Sequence, residues 1–123
     1  MDEPIHAAVE REVLEEAGIV ARVTDSLGFR HQMQTDPNRP ANLYMVFRLE
    51  AVSGEPVHDG VETMSAGYFS LDEMATMEGV QSLSLWAVRL ALAHPPAAGF
   101  VPDTEAFQLR PGQSLFGLNG LHP

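Results

Sequence analysis

EREVLEEAGI, Glu10 to Ile19, is the stretch from which the rest of the chain is read. Glu12, Glu15 and Glu16 crowd the end of one short helix, expected from about Glu3 to Ala17. Asp2 is placed to cap it, Pro4 suits its first turn, and Gly18 is a natural stop. Ile5, Val9, Val13 and Ala17 recur every four residues with Ala8 beside them, a narrow apolar stripe. Positions three and four apart share a helix face, so the carboxylates repel by a few tenths of a kcal/mol per pair. Glu15 and Glu16 also sit in the last turn, where the helix dipole disfavours negative charge by roughly 0.3–1 kcal/mol each. Local stability thus opposes the arrangement twice. A hard divalent cation such as Mg²⁺ removes both penalties, because it prefers oxygen ligands and keeps several waters. For an isolated Glu-Glu pair, the plainer reading is a solvated acidic face.

Outward from this helix, Ile19–Leu27 reads as a strand. HQMQTDPNRPAN (31–42) is a polar loop with two prolines and several turn formers. Leu43–Val52 is the clearest strand, with Leu43, Met45, Phe47, Leu49 and Ala51 alternating on one face. SGEPVHDGVETMSA reads as loop and GYFSL (67–71) as a short strand. Ser70 and Glu73 form a capping box, so a short helix starts at Leu71. Gln81–Ala93 is an apolar-faced helix that Pro95 and Pro96 end. Tyr44, Phe47 and Trp86 are read as core side chains rather than platforms for a stacked base. Residues 1–96 form the domain, and 97–123 a Gly- and Pro-rich extension that packs on the domain or on a partner subunit.

Composition sets the outer limits. The chain has 123 residues, a net charge of −10 and 45% hydrophobic content, which suits one soluble domain with a modest core. All seven cations are arginine, and no run of sequence gathers them into a basic patch, so nucleic-acid binding is not expected. No segment is long or apolar enough to span a membrane, and the acidic start lacks the basic and apolar runs of a secretory signal, so a cytoplasmic location is expected. The absence of cysteine excludes disulfides, thiol catalysis and cysteine-ligated zinc.

The full string carries more than its charge. REVLEEAGI fits the core of the Nudix box, an Arg-Glu-aliphatic-x-Glu-Glu-x-Gly-aliphatic pattern preceded by seven free positions and a glutamate. Counting back eight from Arg11 lands on Glu3, the glutamate that the pattern requires. The chain therefore resembles the Nudix hydrolase superfamily over residues 1 to about 93. That resemblance implies an α/β (α+β) fold, a Nudix-like α/β/α sandwich with a mixed sheet. It also implies Mg²⁺-dependent hydrolysis of the pyrophosphate linkage of a nucleoside diphosphate joined to a variable group, with Mn²⁺ as the alternative metal. Glu12 and Glu16 would be direct metal ligands, and Glu15 a ligand or water-mediated contact. Arg11 would orient the carboxylates, and Glu3 would bond structurally or through water. Glu62, six residues before Tyr68, stands where the family often carries a further glutamate, as ligand or as base for the attacking water; Asp59 is its substitute. Arg30, His31 and Arg39, around the polar loop, are candidates for meeting phosphate and equally ordinary surface residues.

Set against the family pattern, the opening glycine and the usual N-terminal strands would precede Met1. Either the true start lies upstream of Met1, or this is a shortened variant, in which their lack would expose a sheet edge. A homodimer, with or without exchanged elements, is the expected remedy, and a small nucleotide-type molecule the expected substrate. The alternative is a catalytically impaired Nudix-like binding or interaction module.

Overall fold

The computed structural model describes residues 3–57, 67–103 and 110–119. Helix α1 spans Ile5–Ala17, strand β1 Ile19–Gln32, strand β2 Asn42–Gly54, helix α2 Leu71–Thr76, helix α3 Ser82–Ala93, strand β3 Phe100–Pro102 and strand β4 Phe116–Leu118. The class is α+β, as expected. The sheet order is β2-β1-β3-β4, and all three described pairings are antiparallel where a mixed sheet was expected. β1 and β2 form a hairpin, and a hairpin imposes the antiparallel sense. After α3 the chain returns to the other side of β1 and pairs with it through Ser26 and Phe100.

Local chemistry sets the ends of the elements. Gly18 adopts a left-handed conformation (φ 74°) and donates its N–H to the Leu14 carbonyl at 3.0 Å, closing α1 as a glycine stop should. Pro4 rather than Asp2 occupies the N-cap position, with no side-chain cap. The Ser70 hydroxyl accepts from the Glu73 N–H at 3.1 Å while the Glu73 carboxylate accepts from the Ser70 N–H at 3.0 Å, the expected capping box. Residues 67–70 leading into it are not a strand, and Tyr68 and Phe69 are exposed there. Two aromatic residues suggested a strand, but among the described residues they have no sheet neighbour.

Along β2 the register runs without interruption from Leu49 to Val46 while β1 carries extra residues opposite it. Side chains therefore alternate faces there. Phe47 meets Phe116 of β4 edge-on at 5.7 Å, and Phe116 meets His6 of α1 at 6.0 Å. The neighbouring Arg48 points the other way, to the end of α3. Hence α1 and α3 cover opposite faces, and the sheet curls enough for β4 to reach β2. Trp86 of α3 lies over Gly28, where a Cβ would stand 3.1 Å from the indole ring. Trp86 and Tyr44 are nevertheless substantially exposed, so of the three aromatics expected in the core only Phe47 sits between layers.

The interior is pinned by charge. Among the described residues the buried apolar side chains are Ile19 and Ala21, whereas Asp25 and Ser26 are fully enclosed. Arg48 grips Asp25 with both arms of its guanidinium, Nε to Oδ1 at 2.9 Å and Nη2 to Oδ2 at 2.8 Å. The remaining donors of Arg48 take the carbonyls of Ala91, His94 and Pro95 at 2.6–2.7 Å. The Ala91 and His94 carbonyls belong to the end and cap of α3, where a helix has no internal partners for them, and Pro95 to the turn that follows. The Thr24 hydroxyl and the Gly99 N–H complete the shell of Asp25 at 2.6 and 2.8 Å. Gly99 has to be glycine: a Cβ there would overlap the Ser26 carbonyl oxygen and press on Asp25 Oδ2.

The Arg48 hydrogen bonds, opposed by burial and aided by Thr24 and Gly99, hold the Asp25 carboxyl far below the usual carboxylate range. A depressed folded-state pKa contributes stability above the unfolded value of about 4 that drains away as pH falls further. Asp25→Ala, which strands the Arg48 charge, is expected to lose about 3–5 kcal/mol at neutral pH. Denaturant titrations from pH 7 to pH 2 should show the gap between wild type and variant narrowing below about pH 4.

Candidate functional site

The acidic cluster lies on the last two turns of α1. That helix runs antiparallel to β1: His6 sits near Phe116, Glu10 against Val23, and Ala17 beside the start of the strand. Glu10 fastens the two, its carboxylate accepting the Val23 N–H at 2.8 Å beside an irregularity of the ladder. Arg22 approaches the same carboxylate at 3.9 Å. Sequence reading missed Glu10, which occupies a position that the motif leaves free.

Arg11 behaves as an organiser. Its Nε donates to Glu3 Oε1 at 2.8 Å, and its Nη1 reaches both oxygens of Glu15 at 3.1 and 3.2 Å. The Glu3 bonds, then those of Glu15, push the Arg11 guanidinium pKa further up. This geometry explains the eight-residue spacing between Glu3 and Arg11: the glutamate before the helix meets the arginine two turns in. It also gives Glu15 a local counter-charge in a turn that carries no basic residue otherwise.

Glu12 is exposed and Glu16 half-buried, one helical turn apart. Glu62 and Asp59 lie outside the described residues. Within the described residues no three acidic or histidine side chains converge to enclose a metal. A cation that retains its waters needs only one or two carboxylates besides the oxygens of its substrate; Glu12 and Glu16 stand four residues apart on α1. Oxygen-only donors suit Mg²⁺ and Mn²⁺.

The end of α1 is also where the chain returns from β2. The Val57 N–H donates to the Ala17 carbonyl at 2.7 Å, so the segment after β2 departs from beside the carboxylates. Gly54 and Gly18 lie so close here that a Cβ on Gly54 would overlap the Gly18 carbonyl oxygen.

At the other end of β1, Arg30 and Arg39 line one open cavity of about 440 Å³ at the tip of the β1–β2 hairpin. His31 is exposed and is not among the lining residues. The described residues therefore place the helix carboxylates at one end, with Arg11 on Glu3 and Glu15, and two of the phosphate candidates at the opposite end.

A family model described as the NUDIX domain matches residues 1–87. No curated protein matches the chain. No helix among the described residues is long and apolar enough to cross a membrane.

The expectation that Glu12 and Glu16 take a hydrated cation can be measured. Mg²⁺ at ten times its Kd should stabilise the protein by about 1.4 kcal/mol, a rise of a few degrees in Tm. Glu12→Gln/Glu16→Gln should abolish that rise in a thermal melt, and an undiminished rise would remove these residues from the metal site.

Proposed function

The chain belongs to the NUDIX domain family, and from that premise we propose that it is a divalent-metal-dependent hydrolase cleaving the pyrophosphate linkage of a nucleoside diphosphate-X substrate. The observation that carries this reading is the Glu3–Arg11–Glu15 bracket. It fixes the carboxylate-bearing turns of α1 and leaves Glu12 and Glu16 one turn apart on the helix. Like charge four residues apart near a helix end is locally unfavourable, and a bound divalent cation would relieve it.

In this reading Glu12 and Glu16 hold the cation, Mg²⁺ or Mn²⁺, and Glu15 contacts it directly or through water. When bound, such an ion neutralises phosphate oxygens and the charge that develops during displacement at phosphorus. Arg11 fixes the direction of the Glu15 carboxylate and restrains the start of the helix through Glu3. Glu62 is assigned as a further ligand or as the base that takes a proton from the attacking water. Support comes from the Val57–Ala17 hydrogen bond: five residues of extended chain span up to about 17 Å, enough to bring Glu62 back to the helix end.

The rigid support behind the site is α1's attachment to β1. Glu10 on Val23, Gly18 in its left-handed turn and Val57 on Ala17 all secure the same end of the helix. A site held on a helix by such contacts keeps its carboxylates positioned without relying on loops.

Assembly follows from the sheet edge. β2 has no outer neighbour among the described residues, and Leu43, Tyr44 and Val52 are exposed along it. Such an edge is a template for pairing, and we assign it to a homodimer contact. Light scattering after size-exclusion chromatography should return twice the 13.4 kDa chain mass; a 13.4 kDa species at micromolar concentration would reject the dimer.

Turnover is tested by product release from a panel of nucleoside diphosphate derivatives with Mg²⁺. Glu16→Gln should lower kcat at least about a hundredfold while the fold persists. Equal turnover by the variant would refute the assignment. Absence of turnover from every substrate, with nucleotide binding retained, would favour the binding-module alternative.

A further inference from the structure

Five of the seven arginines of this acidic chain fall into two groups. Arg11, Arg22 and Arg48 each face a carboxylate. Arg30 and Arg39 face none among the described residues, yet both line the cavity of about 440 Å³ at the tip of the hairpin. Gln32, Thr35 and Asn42 complete its polar wall. In a molecule of net charge −10, carboxylates outnumber cations, and two arginines sharing a cavity without one stand out.

Nearby contacts restrain the Arg30 guanidinium and the Arg39 backbone without neutralising either charge. Arg30 lies over the Tyr44 ring, 5.1 Å from its centre, a cation–π contact that restricts the side chain and leaves its charge intact. The Arg39 N–H donates to the Asp36 carbonyl at 3.1 Å, which closes a turn over residues 36–39. Asp36 is the carboxylate of this loop, and its Oδ1 accepts the Asn38 N–H at 2.7 Å instead of meeting either arginine. Paired arginine forks with amide and hydroxyl donors suit an anion with several oxygens, and guanidinium matches phosphate in a bidentate manner.

We propose that this cavity binds a phosphate-bearing anion at a site separate from the acidic end of α1. Ile19, where that helix hands over to β1, and Arg30 are eleven residues apart on the strand. At about 3.3 Å per residue this is about 36 Å along the strand from Ile19, and about 23 Å from Val23, which Glu10 of the helix meets. One small substrate held by the helix carboxylates does not also occupy the hairpin cavity of the same chain. The site is therefore for a second molecule, or for the phosphate of a substrate held by another copy.

Inorganic pyrophosphate in EDTA is the probe, because without a divalent cation the acidic helix repels it. Isothermal titration of the full chain should show binding that weakens with added salt. Arg30→Gln/Arg39→Gln should weaken it at least about tenfold, and Glu12→Gln/Glu16→Gln should leave it intact. That last arm separates this proposal from the hydrolase reading, which can fail while the anion still binds. Dilution through the dimer transition tells the two sources apart: a site within one chain keeps its affinity, and a shared one loses it. No heat with wild type, or equal affinity in the arginine variant, would overturn the proposal. As a check that needs no variant, pyrophosphate should protect Arg30 and Arg39 of the wild type from phenylglyoxal; unprotected arginines would overturn it as well.

Discussion

The bidentate pair of Asp25 and Arg48 is the constraint on which the other layers depend. It joins the two long strands across their register, receives the end of α3 through three carbonyls, and draws Gly99 against β1. A buried ion pair recovers its desolvation cost only when every donor and acceptor around it is satisfied. Here they are met by the backbone of α3 and of the turn after it, with Thr24 completing the carboxylate. The consequence is positional. α3 is anchored at its end on one face of the sheet, which leaves the opposite face to α1 and its carboxylates.

That pin also explains how the described residues, with so thin an apolar interior among them, hold a defined arrangement. Ile19 and Ala21 bury little area, and several large apolar side chains stay outside. Area removed from water is the usual source of stability, whereas here direction comes from polar geometry. Ala97, with φ at 68°, stands in the turn that delivers Gly99 to Asp25. A left-handed alanine costs about 1–2 kcal/mol, and the Gly99 N–H bond to a charged acceptor is of the size needed to offset it. Local strain is accepted where it closes the network.

The site was more legible in the sequence than the fold's anchor was. Glu3, Arg11 and Glu15 announce themselves because their spacing is local, eight and four residues on one helix. Asp25 and Arg48 are 23 residues apart in strands that alternate polar and apolar residues, and each alone reads as a surface charge. Strand β1 runs on to Gln32, five residues past its expected end, because pairing with β2 continues through GFRHQ after burial has ceased. A hydrophobic pattern cannot mark a ribbon that no layer covers. β3 and β4, at three residues each, are too short for any alternation to show. Trp86 and Tyr44 failed as core residues for a related reason: each is occupied at one face, by Gly28 and by Arg30, with the other left to solvent.

The long hairpin turns these facts into one electrostatic design. β1 carries at its start a helix end bearing acidic side chains and at its far end a cavity lined by two arginines. The chain's other described ion pairs lie between or beside them. Opposite charge at the two ends of a rigid ribbon favours head-to-tail approach of two copies, because complementary potentials steer association and fix register. The exposed apolar residues of the ribbon, Phe29, Leu43 and Tyr44, lie on the segment that such an approach would cover.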